Sequence, residues 1–119
     1  IMTDYRSDIY DLLDLSVNGA DLSATMSIPE NLVYFDGHFD ELAVLPGVVQ
    51  VHWAIEMARK YLPVTGDFTS IDVLKFMRVI RPKNIVTLNI TKHPQKNTID
   101  FSYSAGETIH SKGKVGFSS

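Results

Sequence analysis

The sequence predicts an α+β domain in which one long helix packs against an antiparallel sheet. Two segments with strand-like alternation precede a helical segment between Pro46 and Pro63, and four more follow it. Each alternating segment has an apolar face that the helix is placed to cover. With 119 residues, 45% of them hydrophobic, the chain supports one core, so residues 1–119 are predicted to form a single domain. Residues 1–8 are expected to be partly disordered or derived from cloning.

The first two strands are predicted to form a hairpin. Apolar and polar residues alternate over Ile9–Val17 and again over Asp21–Ile28. Between these segments, Asn18-Gly19 tolerates the positive φ angles of a tight turn. Pro29 cannot donate a hydrogen bond to a neighbouring strand, so the second strand is expected to end there.

The helix is predicted to begin at about Pro46 and to end at about Leu62. Proline costs nothing in the first turn, because its missing N–H would have no partner in the helix. Charged and polar residues interrupt the segment too often for a membrane span. Several of them form a polar stripe opposite an apolar face, as on any amphipathic helix: His52, Glu56, Arg59 and Lys60. The long loop before the helix is rich in apolar residues, which favours a functional role for it.

Four strands are predicted after the helix, with turn residues between them. They span Ser70–Ile80, Ile85–Thr91, Thr98–Ser104 and Thr108–Phe117. The first of these four is apolar on both faces, which favours a central position in the sheet.

Composition excludes several classes of function. The formal net charge is -3, so no overall positive field favours nucleic acid or an anionic membrane as a partner. The chain has no cysteine, which excludes disulfides, thiolate metal sites and a cysteine nucleophile. No charged segment followed by an apolar run precedes the first strand, so no cleaved signal peptide is expected. The expected location is the cytoplasm.

Two short motifs resemble those of the hot-dog-fold 3-hydroxyacyl-acyl carrier protein dehydratases. One is the loop Gly37-His38-Phe39, and the other is the Pro46-Gly47 pair that opens the helix. The family also has a later strand of the form Lys-Phe-x-x-x-x-x-Pro, which Lys75, Phe76 and Pro82 match. Within the family, the segment from Leu45 to Ala54 is most similar to the dehydratase-like proteins of aryl-polyene gene clusters. The resemblance implies a hot-dog fold, in which an antiparallel sheet wraps around one long central helix and the protein functions as a dimer.

The resemblance assigns roles to two residues directly. His38 matches the family's catalytic histidine, which takes the proton from the substrate carbon next to the thioester carbonyl. The ordinary pKa of histidine, about 6.5, suits this role. Gly47 matches the glycine whose backbone N–H binds the thioester oxygen as negative charge develops on it. Asp40 stands where the family usually has proline.

The family's second catalytic residue, a Glu or Asp on the helix, is replaced here by His52. A charged histidine is able to act as an acid, so the elimination remains chemically possible. Glu56 lies one helical turn later on the same face, where it could orient His52 or itself be the acid. The alternative is that both belong only to the solvated polar stripe, just as His38 could be a loop histidine that bonds backbone groups.

Other polar residues have weaker functional interpretations. Imidazole and carboxylate groups bind metals, but the spacing of His38, His52 and Glu56 is not that of a metal site, so no metal is expected. His93 in a turn and His110 on an exposed strand face are expected to be solvated. A basic cluster, with Lys75 behind it, could bind an acidic carrier protein or a coenzyme's phosphates, or be ordinary surface charge: Arg78, Arg81 and Lys83.

The resemblance implies a lyase that eliminates water from a 3-hydroxyacyl thioester on acyl carrier protein or CoA and gives the trans-2-enoyl thioester. No cofactor is expected. The acyl chain is predicted to lie in a tunnel along the helix, lined by Val48, Trp53, Phe76 and Met77. A homodimer, or a hetero-oligomer with another hot-dog subunit, is implied. Two alternatives are a non-catalytic subunit that binds the acyl carrier or a partner, and a thioesterase.

Overall fold

The computed structural model describes residues 7–35 and 43–118, which form one α-helix, one 3₁₀ turn and six β-strands. The strands are β1 (Asp11–Asn18), β2 (Asp21–Ser27), β3 (Phe68–Phe76), β4 (Ile85–Lys92), β5 (Thr98–Ala105) and β6 (Thr108–Phe117). The helix is α1 (Gly47–Tyr61), and the 3₁₀ turn spans Val33–Phe35. The predicted order of two strands, a helix and four strands is therefore confirmed. Strand β3 begins and ends earlier than its alternation predicted.

The six strands form one antiparallel sheet in the order β1-β2-β4-β5-β6-β3. Among the described strands, β3 pairs with β6 alone and lies at an edge of the sheet, so the prediction of a central position for it was wrong. Nearly all of its residues are exposed, on both faces. Of the apolar residues that suggested a central strand, Ile80 is buried in the core, whereas Val73, Leu74 and Val79 are exposed in the described part of this chain.

The β1–β2 hairpin turns as the sequence predicted. Asn18 pairs with Asp21, which leaves Gly19 and Ala20 as the loop, and Gly19 has a φ of 62°. Before this hairpin, Ser7 forms a parallel bridge to Leu32. Residues 1–6 lie outside the described residues, so the expectation for residues 1–8 stays a prediction.

The core lies between one face of the sheet and one face of α1. On β2, β4 and β5, alternate residues are buried and their neighbours are not. The buried residues of the helix are Val49, Gln50, Val51, Trp53, Ala54, Ile55, Met57 and Ala58. The predicted polar stripe lies on its exposed side. Within the described residues, no helix combines the length and hydrophobicity that crossing a membrane requires.

His110 is buried, which contradicts the expectation of a solvated histidine. The end of β3 packs against it: the N–H groups of Met77 and Arg78 donate to its carbonyl, and its ring Nδ1 lies 3.1 Å from the carbonyl of Val79. His93 lies in the predicted turn, where its ring Nδ1 accepts hydrogen bonds from the backbone N–H groups of Gln95 and Lys96. Neither histidine borders the helix N-terminus.

Candidate functional site

A cleft of about 280 Å³ lies at the N-terminus of α1. Its walls come from the loop before the helix and from the end of β3 with the residues that follow it. The N–H of Leu45 donates to the carbonyl of Ile80 at 2.7 Å and holds these two segments together. The lining residues are mainly apolar: Val44, Leu45, Pro46, Gly47, Gln50, Phe76, Met77, Arg78 and Val79. The cleft is suited to an apolar chain with a polar group at the helix end.

Gly47 is the first residue of α1, and Pro46 before it provides no side-chain cap. The N–H groups of Gly47 and Val48 have no backbone acceptor among the described residues. Together with the helix dipole, such N–H groups favour an oxygen that carries negative charge. The ring of Phe76 lies over Gly47 so closely that a Cβ there would overlap it. Close approach of this ring therefore requires glycine at the helix start.

A buried polar network lies directly beneath the cleft and centres on Gln50. Its Nε2 donates to the carbonyl of Leu45 at 3.1 Å, and its Oε1 accepts from the hydroxyl of Ser111 at 2.7 Å. The hydroxyl of Tyr103 donates to the backbone carbonyl of Gln50 at 2.6 Å. Burial raises the pKa of the Tyr103 phenol well above its ordinary value, so the hydroxyl remains a donor.

Sequence reasoning gave Gln50 no role of its own and therefore missed this network. A signal was present in the helical spacing. Gln50 lies three residues before Trp53 and four before Ala54, on the face that buries both. A polar side chain on a buried helix face needs partners inside the protein, which marks it for attention.

The Gly37-His38-Phe39 motif falls within residues 36–42, outside the described residues. The residues on either side of that range, Phe35 and Ala43, are both buried in the core. The role of His38 therefore stays a prediction, as does the effect of Asp40 on the loop.

His52 and Glu56 are exposed on the side of α1 that faces away from the sheet, and neither lines the cleft. Among the described residues, no hydrogen bond or ion pair joins the side chains of His52 and Glu56. In this single chain they are surface groups. Their catalytic roles stay predictions.

The four predicted tunnel residues do not all meet in the cleft. Phe76 and Met77 line it. Val48 is 76% exposed on the outer side of the helix. Trp53 is buried elsewhere in the core, where its ring meets that of Tyr10 edge to face at 5.0 Å between centroids.

The three basic residues predicted to bind a carrier are also separated. Arg78 lines the cleft. Lys83 forms an ion pair with Glu30 at 2.6 Å, and its backbone adopts a φ of 70° in the turn before β4. Arg81 is not a lining residue, and its backbone N–H donates to the side chain of Asn84 at 2.8 Å. The described residues contain no group of three potential metal-ligating side chains, and since His38 lies outside them, the expectation of no metal stays a prediction.

A family model for the ApeI-like dehydratases, described as ApeI dehydratase, matches residues 15–114 of this chain. The chain belongs to this family. The 3-hydroxyacyl-[acyl-carrier-protein] dehydratase FabZ of Oenococcus oeni is 30% identical over 95 residues, which cover 74% of this chain and 68% of that protein. The resemblance stated from the motifs is therefore confirmed.

Solved structures support the same family assignment. The dehydratase heterocomplex ApeI:P from Xenorhabdus doucetiae matches with a TM-score of 0.85 and 25% identity, over 93% of this chain and 99% of that chain. A protein of Erwinia carotovora subsp. atroseptica matches with a TM-score of 0.78 and 28% identity, over 92% and 96%. The predicted hot-dog fold of this ApeI-like chain is confirmed, while its dimeric state stays a prediction.

Proposed function

We propose that this ApeI-like chain is a subunit of a dehydratase that converts a 3-hydroxyacyl thioester into the trans-2-enoyl thioester and water. The observation that carries the proposal is the N-terminus of α1 at Gly47, where Pro46 provides no side-chain cap and the helix end borders an apolar cleft. This is the position at which the dehydratase motif requires an oxyanion-binding N–H. The proposed substrate is an acyl group on acyl carrier protein, and the proposed location is the cytoplasm. The name of the FabZ relatives states the same substrate class.

In the proposed reaction, His38 removes a proton from the carbon next to the thioester carbonyl. The electron pair of that C–H bond moves toward the carbonyl, and negative charge grows on the thioester oxygen. The N–H of Gly47, at the positive end of α1, stabilises this oxygen as its charge develops. The C–O bond to the 3-hydroxyl then breaks, a carbon–carbon double bond forms, and an acid donates the proton that completes the leaving water.

The residue that donates this proton is the second catalytic residue to be assigned. His52 occupies the family's carboxyl position, and Glu56 lies one turn further on the same exposed side of α1. A second hot-dog subunit packed against this chain would present its own helix residues at these positions, or a carboxyl group, to a thioester in the cleft. The solved relative from Xenorhabdus doucetiae is a dehydratase heterocomplex, which supports a partner subunit here.

The edge strand β3 is the surface proposed for subunit contact. Its outer edge pairs with no other described strand, and its apolar residues are exposed on both faces. Exposed apolar residues continue beyond the strand to Met77 and Val79 beside the cleft. An apolar surface of this extent beside an open strand edge is typical of an interface between subunits.

Val73→Glu on β3 is expected to convert the protein from an oligomer to a monomer. A carboxylate there would be buried in the proposed interface without a partner. Val17→Glu is the matched control, because Val17 lies on the opposite edge strand and is 42% exposed, against 41% for Val73. Sedimentation velocity measures the mass of each. Equal masses for the two variants would contradict the use of β3 as the interface.

A second function is favoured by one observation. The family's carboxyl position holds His52, which is exposed and without a described partner, so this chain could be a non-catalytic subunit that binds the carrier or a catalytic partner. Arg78, beside the cleft, is the best-placed of the predicted basic residues for contact with an acidic carrier protein. Arg78→Ala is then expected to weaken carrier binding.

Incubation with 3-hydroxyacyl-acyl carrier protein and 3-hydroxyacyl-CoA of several chain lengths tests the proposal. Loss of water from the acyl group, measured by mass spectrometry, supports the dehydratase. Carrier binding without turnover supports the non-catalytic subunit, and release of free thiol indicates a thioesterase. Repeating the assay with a purified hot-dog partner subunit separates an incomplete site from an inactive protein.

A further inference from the structure

We propose that Gln50 is a positioning residue that fixes where the Gly47 N–H lies relative to the cleft walls by holding the turn that precedes α1. This inference rests on the proposed function, because it concerns the group assigned to the thioester oxygen. Gln50 lines the cleft but is only 3% exposed, and both polar atoms of its side chain are engaged by Leu45 and Ser111, so its proposed role is to act through the backbone of the turn.

The backbone N–H and the backbone carbonyl of Leu45 both form hydrogen bonds. Its N–H donates to the carbonyl of Ile80 at 2.7 Å, and its carbonyl accepts from Nε2 of Gln50 at 3.1 Å. Pro46 follows with a φ of -59°, which its ring restricts to that range. Few torsions remain free between the held Leu45 and the first helical N–H. The Pro46 carbonyl, which shares a peptide group with the Gly47 N–H, accepts from the backbone N–H groups of Val49 and Gln50 at 3.1 and 3.2 Å, so the first helical turn sets the direction of that N–H. The side chain of Gln50 anchors this turn to Leu45 and thereby fixes its place in the cleft.

The same network reaches the opposite wall of the cleft. Ser111, which donates to Oε1 of Gln50, is fully buried on β6 and stands directly opposite Phe76 on β3. The ring of Phe76 lies over Gly47. Gln50 and Ser111 thus fix both the backbone beneath the proposed oxyanion position and the strand that carries the ring above it.

Core packing alone does not explain a carboxamide at this position. The neighbours of Gln50 on the buried face of α1 are apolar, and an apolar side chain of similar length would fill the same space without hydrogen-bond partners. Gln50 instead needs Leu45 and Ser111 to satisfy it, and both bonds lead toward the cleft walls. Such a network fixes one geometry, which is what a binding group for developing charge requires.

The test compares wild type with Gln50→Met and with the double variant Gln50→Met/Ser111→Ala. The kinetic assay uses either the chain alone or its complex with a partner subunit, whichever converts the substrate. Gln50→Met leaves the Ser111 hydroxyl buried without its acceptor, so its Tm is expected to fall. The double variant removes that hydroxyl, so Tm is expected to recover in large part. The kcat is expected to remain about tenfold to a hundredfold below wild type in both variants, with KM within about threefold. Recovery of kcat together with Tm would overturn the inference, since it would make Gln50 a structural residue only.

A second measurement does not depend on turnover. The backbone amide resonance of Gly47, observed by ¹H–¹⁵N spectroscopy, is expected to shift in the double variant and to stay unchanged in Gln95→Met, a control in an exposed turn. An unchanged Gly47 amide in the double variant would overturn the positioning role whatever the activity. If wild type shows no turnover while the Gly47 amide does shift, the proposed reaction fails and the positioning of this N–H by Gln50 stands.

Discussion

Replacing His38 with alanine is expected to lower kcat by about a hundredfold to ten-thousandfold, with Tm nearly unchanged. Loss of a general base commonly costs this much, because no other group removes the proton at a comparable rate. The measurement is the rate of enoyl thioester formation at saturating substrate. His93→Ala is a suitable control, since His93 lies in a turn away from the helix N-terminus. Full activity in His38→Ala would remove this residue from the mechanism.

The same assay assigns the acid. His52→Ala and Glu56→Ala both change exposed residues of α1, so neither is expected to unfold the chain. A large loss of kcat in one variant alone identifies it as the donor to the leaving hydroxyl. If both variants keep wild-type activity, the acid belongs to a partner subunit. If both lose activity together, the two side chains act as a pair.

Replacing Trp53 with alanine is expected to lower the free energy of unfolding by about 3–5 kcal/mol. The Trp53 side chain is 3% exposed and packs edge to face against Tyr10, so its removal leaves a cavity in the core. Val48→Ala on the same helix is the control, because that side chain is 76% exposed. Its effect is expected to stay within about 0.5 kcal/mol in the isolated chain.

Chemical denaturation of both variants measures these differences, and the assay of several acyl chain lengths adds a second readout. Trp53 was predicted to line the acyl tunnel, whereas the structure places it in the core beside Tyr10. A Trp53→Ala variant that keeps its stability but prefers a different chain length would favour the tunnel role over the core role.

Much of the fold follows from local pattern. The Asn18-Gly19 turn and the Pro46-Gly47 helix start are each specified by residues with restricted backbone conformations. Neither depends on distant parts of the chain. The position of β3 does, because a strand that is apolar on both faces is equally consistent with a central strand and with an edge that another molecule covers. The pattern of apolar residues in a strand predicts which faces are buried. It does not indicate whether the same chain or another molecule covers them.

The candidate site also contains residues that a local motif predicts and residues that depend on tertiary contacts. Gly47 was predicted from a motif, and the uncapped helix end and the close Phe76 ring give a physical reason for glycine there. Helical spacing marks Gln50 as a buried polar residue, but Ser111 lies far from it in sequence, so no local pattern indicates which residue is its partner. The burial of His110 was likewise missed, because it arises from the end of β3 folding against β6. Tertiary contacts, rather than propensities, decide such residues.

The sheet order also has a consequence for biosynthesis. Strand β3 is made before β4, β5 and β6, and its only neighbour in the sheet, among the described strands, is β6, the last of the six. During translation β3 therefore leaves the ribosome well before the strand that pairs with it. An apolar strand that waits in this way is a binding segment for chaperones and a site of aggregation. We therefore expect the yield of folded protein to depend on how quickly β6 becomes available to β3.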